Sequence, residues 1–133
     1  MEFKLRQNYE PDNDFIYNSW LKSYRKSEPE MSNLIYYESF KKNIESILKR
    51  SNVVIACNEI NNNDIIGYVV FESLDPVVIH YIYVKFMNRQ LGVGGTLVKI
   101  AKGIQDVAVC TFATKSFFKL NKKWGLSYNP WMR

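Results

Sequence analysis

Hydrophobic and polar positions follow a helical period near the start of this 133-residue chain and a strand period in its centre. Phe3 to Arg6 alternates over a short run, which predicts a half-exposed edge strand. A helix is predicted next, because Asp12 can act as an N-cap before apolar residues at helical spacing. Those apolar residues are Phe15, Ile16, Trp20 and Tyr24.

A second helix is predicted after the break at Ser27-Glu28-Pro29, where Ser32 or Asn33 can cap it. Its apolar stripe consists of Tyr37, Phe40, Ile44, Ile47 and Leu48. Runs of β-branched residues then predict three strands, at residues 52–57, 65–71 and 77–84. A turn at residues 61–64 joins the first two strands into a hairpin.

The last third of the chain alternates between helix and strand. A helix is predicted from about Gly92 to Gly103, then a strand at residues 107–112, a helix at 115–124 and a short strand at 126–128. The order β-α-α-β-β-β-α-β-α-β predicts a mixed α/β fold and excludes a Rossmann succession. Since no repeat or linker interrupts the chain, we expect residues 1–133 to form one domain.

Composition excludes several classes of protein. Hydrophobic residues make up 47% of the chain and charged residues 23%, a balance typical of ordered globular proteins. No run approaches the roughly 20 apolar residues that a membrane helix needs. Because the first six residues contain no secretory signal pattern, we expect a cytoplasmic protein without a membrane. Cys57, Cys110 and His80 are too few and too scattered for a metal site, so none is expected.

The positive charge is concentrated at one end of the sequence. Residues 107–133 contain no acidic residue, so their five basic residues carry the whole net charge of +5. These residues are Lys115, Lys119, Lys122, Lys123 and Arg133. Such a segment can attract a phosphorylated cofactor or a nucleic acid, or it can form a solvated helix face.

A loop with closely spaced glycines follows the long strand at residues 77–84 and opens a helix. Glycine lets backbone N–H groups approach a ligand, and a helix start offers unpaired N–H groups to a phosphate. Thr96 in the first turn adds a hydroxyl donor. The loop lacks the Lys-Ser/Thr of a P-loop and the glycine spacing of a dinucleotide site. A phosphate site and a tight strand–helix turn remain the alternatives.

The segment Arg89-Gln90-Leu91-Gly92-Val93-Gly94 matches the pattern Arg/Gln-x-x-Gly-x-Gly/Ala, and the predicted order of elements around it agrees over nearly the whole chain. On both counts the sequence resembles the GCN5-related N-acetyltransferase (GNAT) superfamily. The resemblance implies the acyl-CoA N-acyltransferase fold. In that fold, about four helices flank a central, mostly antiparallel sheet whose fourth and fifth strands splay apart.

The resemblance also implies acetyl-CoA as the acetyl donor. Its pantetheine arm would contact the main chain of the fourth strand, its pyrophosphate the glycine loop, and its sulfur an amide in the last helix. The expected cofactor-binding residues are Ile82, Val84, Arg89, Gln90, Leu91, Gly92, Val93, Gly94, Gly95, Thr96 and Asn121.

Two residues are catalytic candidates. His80 resembles the catalytic histidine of arylalkylamine N-acetyltransferases, and strand alternation would put it on the same side as Ile82 and Val84. The alternative is a structural histidine satisfied within the sheet. Asn121 stands where the family often has a tyrosine that acts as the general acid. Tyr128 is therefore the candidate general acid in this chain.

The resulting hypothesis is an N-acetyltransferase that transfers acetyl directly to an amine of a small molecule or peptide. The loop at residues 27–33, with Glu28 and Glu30, suits a cationic amine. The alternatives are an acyl-CoA-binding module without transfer and a protein or nucleic-acid interaction module that uses the basic segment. Nucleic acid is the less favoured partner. The short last strand leaves an edge that invites pairing in a homodimer.

Overall fold

The computed structural model describes residues 2–85 and 92–133, which form a mixed sheet with helices on both faces. Four α-helices lie in these ranges, in agreement with the sequence prediction. The elements are β1 (Phe3–Gln7), α1 (Asn13–Tyr24), α2 (Asn33–Arg50), β2 (Asn52–Asn58), β3 (Ile65–Glu72), β4 (Val77–Val84), α3 (Val93–Lys102), β5 (Ala108–Cys110), α4 (Lys115–Trp124) and β6 (Leu126–Tyr128).

The six strands are arranged in chain order, β1-β2-β3-β4-β5-β6. The first four pair antiparallel, whereas β5 runs parallel to both β4 and β6. Parallel neighbours need crossover connections, and α3 and α4 provide them. The predicted mixed fold with a mostly antiparallel centre is therefore confirmed.

The sheet separates two apolar cores. One core packs α1 and α2 on one face, and its largest buried side chains include Trp20, Tyr36 and Tyr68. The other core packs α3 and α4 on the opposite face, through residues such as Leu97 and Phe117. Strand alternation supplies both cores, because Val70 faces α1 and α2 while its neighbour Val69 faces α3.

Three local predictions need correction. Tyr36, not Tyr37, belongs to the buried stripe of α2, because only Tyr36 lines up with Phe40 and Ile44 at four-residue spacing. Asp12 does not cap α1 with its side chain; it accepts a hydrogen bond from Tyr9 N instead. The predicted strand at residues 107–112 is shorter in the structure, where β5 covers Ala108–Cys110.

Asp12, at the start of α1, forms an ion pair with Arg6 of β1. Its carboxylate pairs with Arg6 through two hydrogen bonds, of 2.7 and 3.0 Å. The bidentate pair and the bond from Tyr9 lower the pKa of Asp12, although burial alone would raise it. A nearly buried carboxylate is thereby satisfied at the point where the chain leaves the sheet.

Gly67 in β3 lies beside the end of β4, opposite Val84. A Cβ at this position would overlap the carbonyl oxygen of Tyr83, so the close approach of the two strands requires glycine.

We expect Gly67→Ala to lower the free energy of unfolding by about 1–3 kcal/mol, because backbone must shift to accept the methyl group. Urea denaturation measures the change. Gly95→Ala is the matched control, since its new Cβ would make an ordinary contact at 3.7 Å from Trp124 Nε1 inside a helix. That variant should gain about 0.5–1 kcal/mol, and equal stability of the two variants would contradict the packing argument.

Candidate functional site

β4 and β5 separate partway along β4. Their ladder covers Val77–Ile79 of β4, and the amide of Thr111 adds a bond of 3.1 Å to the carbonyl of Ile79. Beyond this point β4 continues to Val84, whereas the β5 chain turns away toward α4. The predicted splaying of the fourth and fifth strands is thus present, and it opens a fork in the middle of the sheet.

A β-bulge lies at the base of this fork. Val70 pairs with Tyr81 and Phe71 with Ile79, so His80 is the additional residue of β4. The bulge reverses the alternation: Ile79 packs in the α3 core, whereas Tyr81 packs against α1 and α2.

The sequence placed His80 on the same side as Ile82 and Val84, and the structure corrects this. Ile82 and Val84 pack against the α3 core, whereas His80 contacts Glu72, whose side chain faces α2. Simple alternation cannot anticipate the inserted residue.

His80 is fully buried and both of its ring nitrogens have partners. Nε2 lies 2.7 Å from Glu72 Oε2, and Nδ1 lies 2.7 Å from Thr111 Oγ1. Because a carboxylate only accepts, Nε2 carries the proton and Nδ1 accepts from the threonine hydroxyl. The second partner of Glu72 is Arg50, at 3.2 Å. These contacts tie β3 and β4 to Thr111, the residue directly after β5, and favour the structural alternative for His80.

The electrostatics agree with a neutral imidazole. Burial lowers the pKa of His80, and the nearby Glu72 only partly offsets this effect. Burial alone would raise the pKa of Glu72, but hydrogen bonds from His80 and Arg50 bring it below its usual value. The folded state therefore holds a neutral imidazole against an ionised carboxylate.

The start of α3 lies beside the open arm of β4. Gly92 is the N-cap, with a φ of 75° in the left-handed region that favours glycine. A Cβ at Gly94 would stand 3.8 Å from Val84 Cγ2 and 3.2 Å from the Trp124 ring. The first turn thus combines helix-start N–H groups with two positions that lack side chains, Gly94 and Gly95.

A groove of about 620 Å³ runs along α3 from Gly92 to the loop at residues 103–106. Lys123 and Trp124 of α4 form its other wall. Within the described ranges, neither Lys99 nor Lys123 at this groove forms an ion pair, so both ammonium groups can meet an anion. The ammonium group of Lys102 already has a partner within the chain, because it donates a hydrogen bond to the carbonyl of Trp124 at 2.7 Å.

The predicted cofactor residues fall into three groups. Ile82 and Val84 lie half-buried on the open arm of β4, and Gly92 to Thr96 form the start of α3. The Thr96 hydroxyl donates to the carbonyl of Gly92 at 2.9 Å, so it has an intrahelical partner. Asn121 is half-buried near the end of α4. Arg89, Gln90 and Leu91 lie outside the described residues.

The catalytic candidates are not brought together. Tyr128 lies in β6, 43% exposed, with its ring against Phe117 and Phe118 of α4. His80 faces the opposite side of the sheet, toward the end of α2.

Sequence reasoning missed Trp124 as a groove residue, whereas Lys123 belongs to the basic segment that was expected to attract a phosphorylated cofactor. The spacing of Phe117, Leu120 and Trp124 on α4 was the available signal for the tryptophan.

Known proteins resemble this chain in structure but not detectably in sequence. No family model matches the sequence, and no curated protein matches it significantly. A Bacillus subtilis protein classed by inference as an acetyltransferase has a TM-score of 0.71 at 14% identity, covering 96% of this chain and 94% of that one.

Two further structures agree with this likeness. A predicted acetyltransferase from Clostridium acetobutylicum, solved with acetyl-CoA, has a TM-score of 0.61 at 20% identity, with coverages of 95% and 90%. A GNAT-family acetyltransferase from Staphylococcus aureus has a TM-score of 0.51 at 18% identity, with coverages of 75% and 63%. The chain therefore has the fold of the GNAT acetyltransferases.

None of the helices among the described residues is both long and apolar enough to span a membrane. No three His, Cys, Asp or Glu side chains in residues 2–85 and 92–133 are grouped so that they could hold a metal ion.

The Glu72–His80 pair predicts acid sensitivity. Both pKa values are lower in the folded chain, so the unfolded chain binds more protons as the pH falls. Stability should therefore decrease as the pH falls below the ordinary histidine pKa of 6.5, and again below 4.5. Urea titrations across this range measure the change.

The variant His80→Gln keeps a polar side chain but cannot titrate. The loss of stability that begins near pH 6.5 should become shallower in this variant, while the lower step remains. An unchanged profile would show that another group controls the acid sensitivity.

Proposed function

We propose that residues 1–133 form one domain that acts as an acetyl-CoA-dependent N-acetyltransferase with a direct transfer mechanism. One observation carries the proposal: β4 leaves β5 at Ile79, and its open arm ends beside the glycine start of α3. This arrangement places extended backbone and a phosphate-binding helix start within the reach of one elongated ligand.

The residues present fit such a donor. A Cβ at Gly92 would meet no atom within 4 Å, so space is open in front of the first turn of α3. Lys99 and Lys123 supply positive charge along the adjacent groove, and Trp124 offers an aromatic wall. The main chain of Ile82 and Val84 is the predicted contact for the pantetheine arm, and Asn121 the predicted amide near the sulfur.

Acetyl-CoA, when bound, supplies a thioester whose acyl carbon bonds to the amine nitrogen while the carbon–sulfur bond breaks and the thiol leaves with a proton. The chain contributes position: the fork fixes the donor on one side and leaves the α1–α2 side for the amine. Backbone N–H groups at the bulge would polarise the acyl oxygen. No protein nucleophile is needed for this route.

The role of His80 changes under this proposal. As a fully buried ring with two partners, His80 supports the fork as a positioning residue, and a direct base role stays a prediction.

The role of Tyr128 as the general acid also stays a prediction. The alternative, a domain that binds an acyl-CoA without transferring the acyl group, is suggested by Asn121 standing in place of the family tyrosine. Nucleic-acid binding and homodimer formation through β6 remain predictions as well.

Gly95→Glu tests the donor site with little steric disturbance. A side chain at Gly95 makes an ordinary contact, and an acidic residue in the first turn favours the helix. Its charge should repel the pyrophosphate, so we expect affinity for acetyl-CoA to fall at least about 10-fold in calorimetric titration.

The matched control is Gly95→Gln, which adds the same bulk without charge and should bind much more tightly than Gly95→Glu. A second control, Ile60→Glu, adds the charge at an exposed turn and should bind as wild type. If wild type, shown to be folded, does not bind millimolar acetyl-CoA, the proposed function is wrong. Equal affinity of both Gly95 variants would place the donor elsewhere.

His80→Gln separates positioning from proton transfer. Loss of a general base typically lowers the rate about 100-fold or more and removes a limb of the pH profile. If His80 only positions the fork, we expect kcat/KM of His80→Gln to fall less than about 10-fold and its pH profile to keep the same limbs as that of wild type. Rates with an amine acceptor across the pH range measure both quantities, and loss of the limb would establish His80 as the base.

A further inference from the structure

A cation lies inside an aromatic cage on the α1–α2 face of the sheet. The guanidinium carbon of Arg133 stands 4.0 Å from the ring centre of Phe112, 5.5 Å from that of Phe40 and 5.9 Å from that of Tyr24. The three rings are at most 7% exposed, so they present desolvated π faces to the cation. Such faces attract cations most strongly when water is excluded.

Polar groups complete the cage. Arg133 Nε donates to the carbonyl of Thr111 at 2.9 Å, and Nη2 donates to the hydroxyl of Tyr24 at 3.2 Å. The Tyr24 hydroxyl in turn donates to Glu28 at 3.3 Å. Burial raises the pKa of Tyr24, which keeps the proton needed for that bond. Among the described residues, no carboxylate forms an ion pair with Arg133.

This combination is typical of a site that recognises an organic cation. Two or three π faces, a carbonyl and a relayed carboxylate are groups that attract a guanidinium or an alkylammonium. A simple surface arginine would instead keep its charge in water.

The cage lies next to the fork. Thr111 gives the last amide bond to β4 at Ile79, and its carbonyl is the one that accepts from Arg133. Phe112 follows directly and touches Trp20 and Tyr24 of α1. The cage therefore lies on the sheet face opposite to the groove of α3, at the point where β4 and β5 part.

We propose that the cage formed by Tyr24, Phe40, Phe112 and the Thr111 carbonyl is a binding site for organic cations, which Arg133 occupies within the same chain. An incoming guanidinium or alkylammonium displaces Arg133 from the cage. Binding of a cation in the cage does not require acetyl-CoA.

A second part of the inference rests on the proposed function. A protonated amine cannot attack a thioester, so the cation held in the cage is not the reacting nitrogen. The acceptor class is then a dibasic molecule: one charged end occupies the cage, and a second, neutral amine reaches the fork. Arg133 competes with this acceptor and limits its affinity.

The experiment measures binding of methylguanidinium, without any cofactor, from the aromatic proton shifts of Tyr24, Phe40 and Phe112. Arg133→Ala should bind at least about 10-fold more tightly than wild type. Arg133→Gln, which keeps a group able to donate to the Thr111 carbonyl, should also bind more tightly and covers the case in which Arg133→Ala does not fold.

Two controls make the result specific. Lys49→Ala removes one positive charge from an exposed position of α2 and should bind as wild type. Adding Phe112→Leu to either Arg133 variant should abolish the gain, since it removes the face at 4.0 Å. If folded Arg133 variants bind no better than wild type, or if Phe112→Leu leaves the gain intact, the cage proposal is overturned.

The acceptor class is tested separately. With acetyl-CoA present, Arg133→Ala should lower KM for agmatine, which carries a guanidinium and an amine, but not for butylamine, which carries only the amine. Equal effects on both would overturn the dibasic class. If methylguanidinium binds in the cage but folded wild type does not bind millimolar acetyl-CoA, the cage stands and the proposed function is wrong.

Discussion

Two hydrogen bonds of the buried His80 ring hold the sheet together at the point where β4 and β5 separate. His80 accepts one from Thr111 and donates one to Glu72, and the bulge that it forms in the β3–β4 ladder directly follows Ile79, the last residue of β4 in the ladder with β5. A buried imidazole without these partners would cost roughly 1–3 kcal/mol. The bonds therefore make an irregular strand stable at the one place where the sheet must open. The start of α3 lies beside the open arm of β4, and the aromatic cage lies beside Thr111, where the two strands part.

The two faces of the sheet carry complementary chemistry around that opening. On one face, α3 begins with glycines and is followed by a groove with Lys99 and Lys123, an environment for an anion. On the other face, Phe112 and its neighbouring rings surround a cation. In the proposed function, a phosphorylated donor and a cationic acceptor would approach the fork from opposite faces of the sheet.

The glycines show how local and tertiary demands combine. Gly92 needs its left-handed backbone to start α3, which is a local demand visible in the motif. Gly94 leaves room for the ring of Trp124, thirty positions along the chain, and Gly67 leaves room for the carbonyl of Tyr83. The last two demands come from packing, and no pattern within a short window of sequence expresses them.

The amino-acid sequence by itself determined the order of the elements, the type of each one and the glycine start of α3, because these depend on periodicity and local backbone preference. It also placed the opening between the fourth and fifth strands, through a resemblance of its motif to a known family. Only the tertiary structure decided where His80 faces, since one inserted residue reverses strand alternation and no local signal marks the insertion. Tertiary structure alone also brought Arg133 to Tyr24, which lies 109 positions earlier, because such a contact depends on how the layers pack.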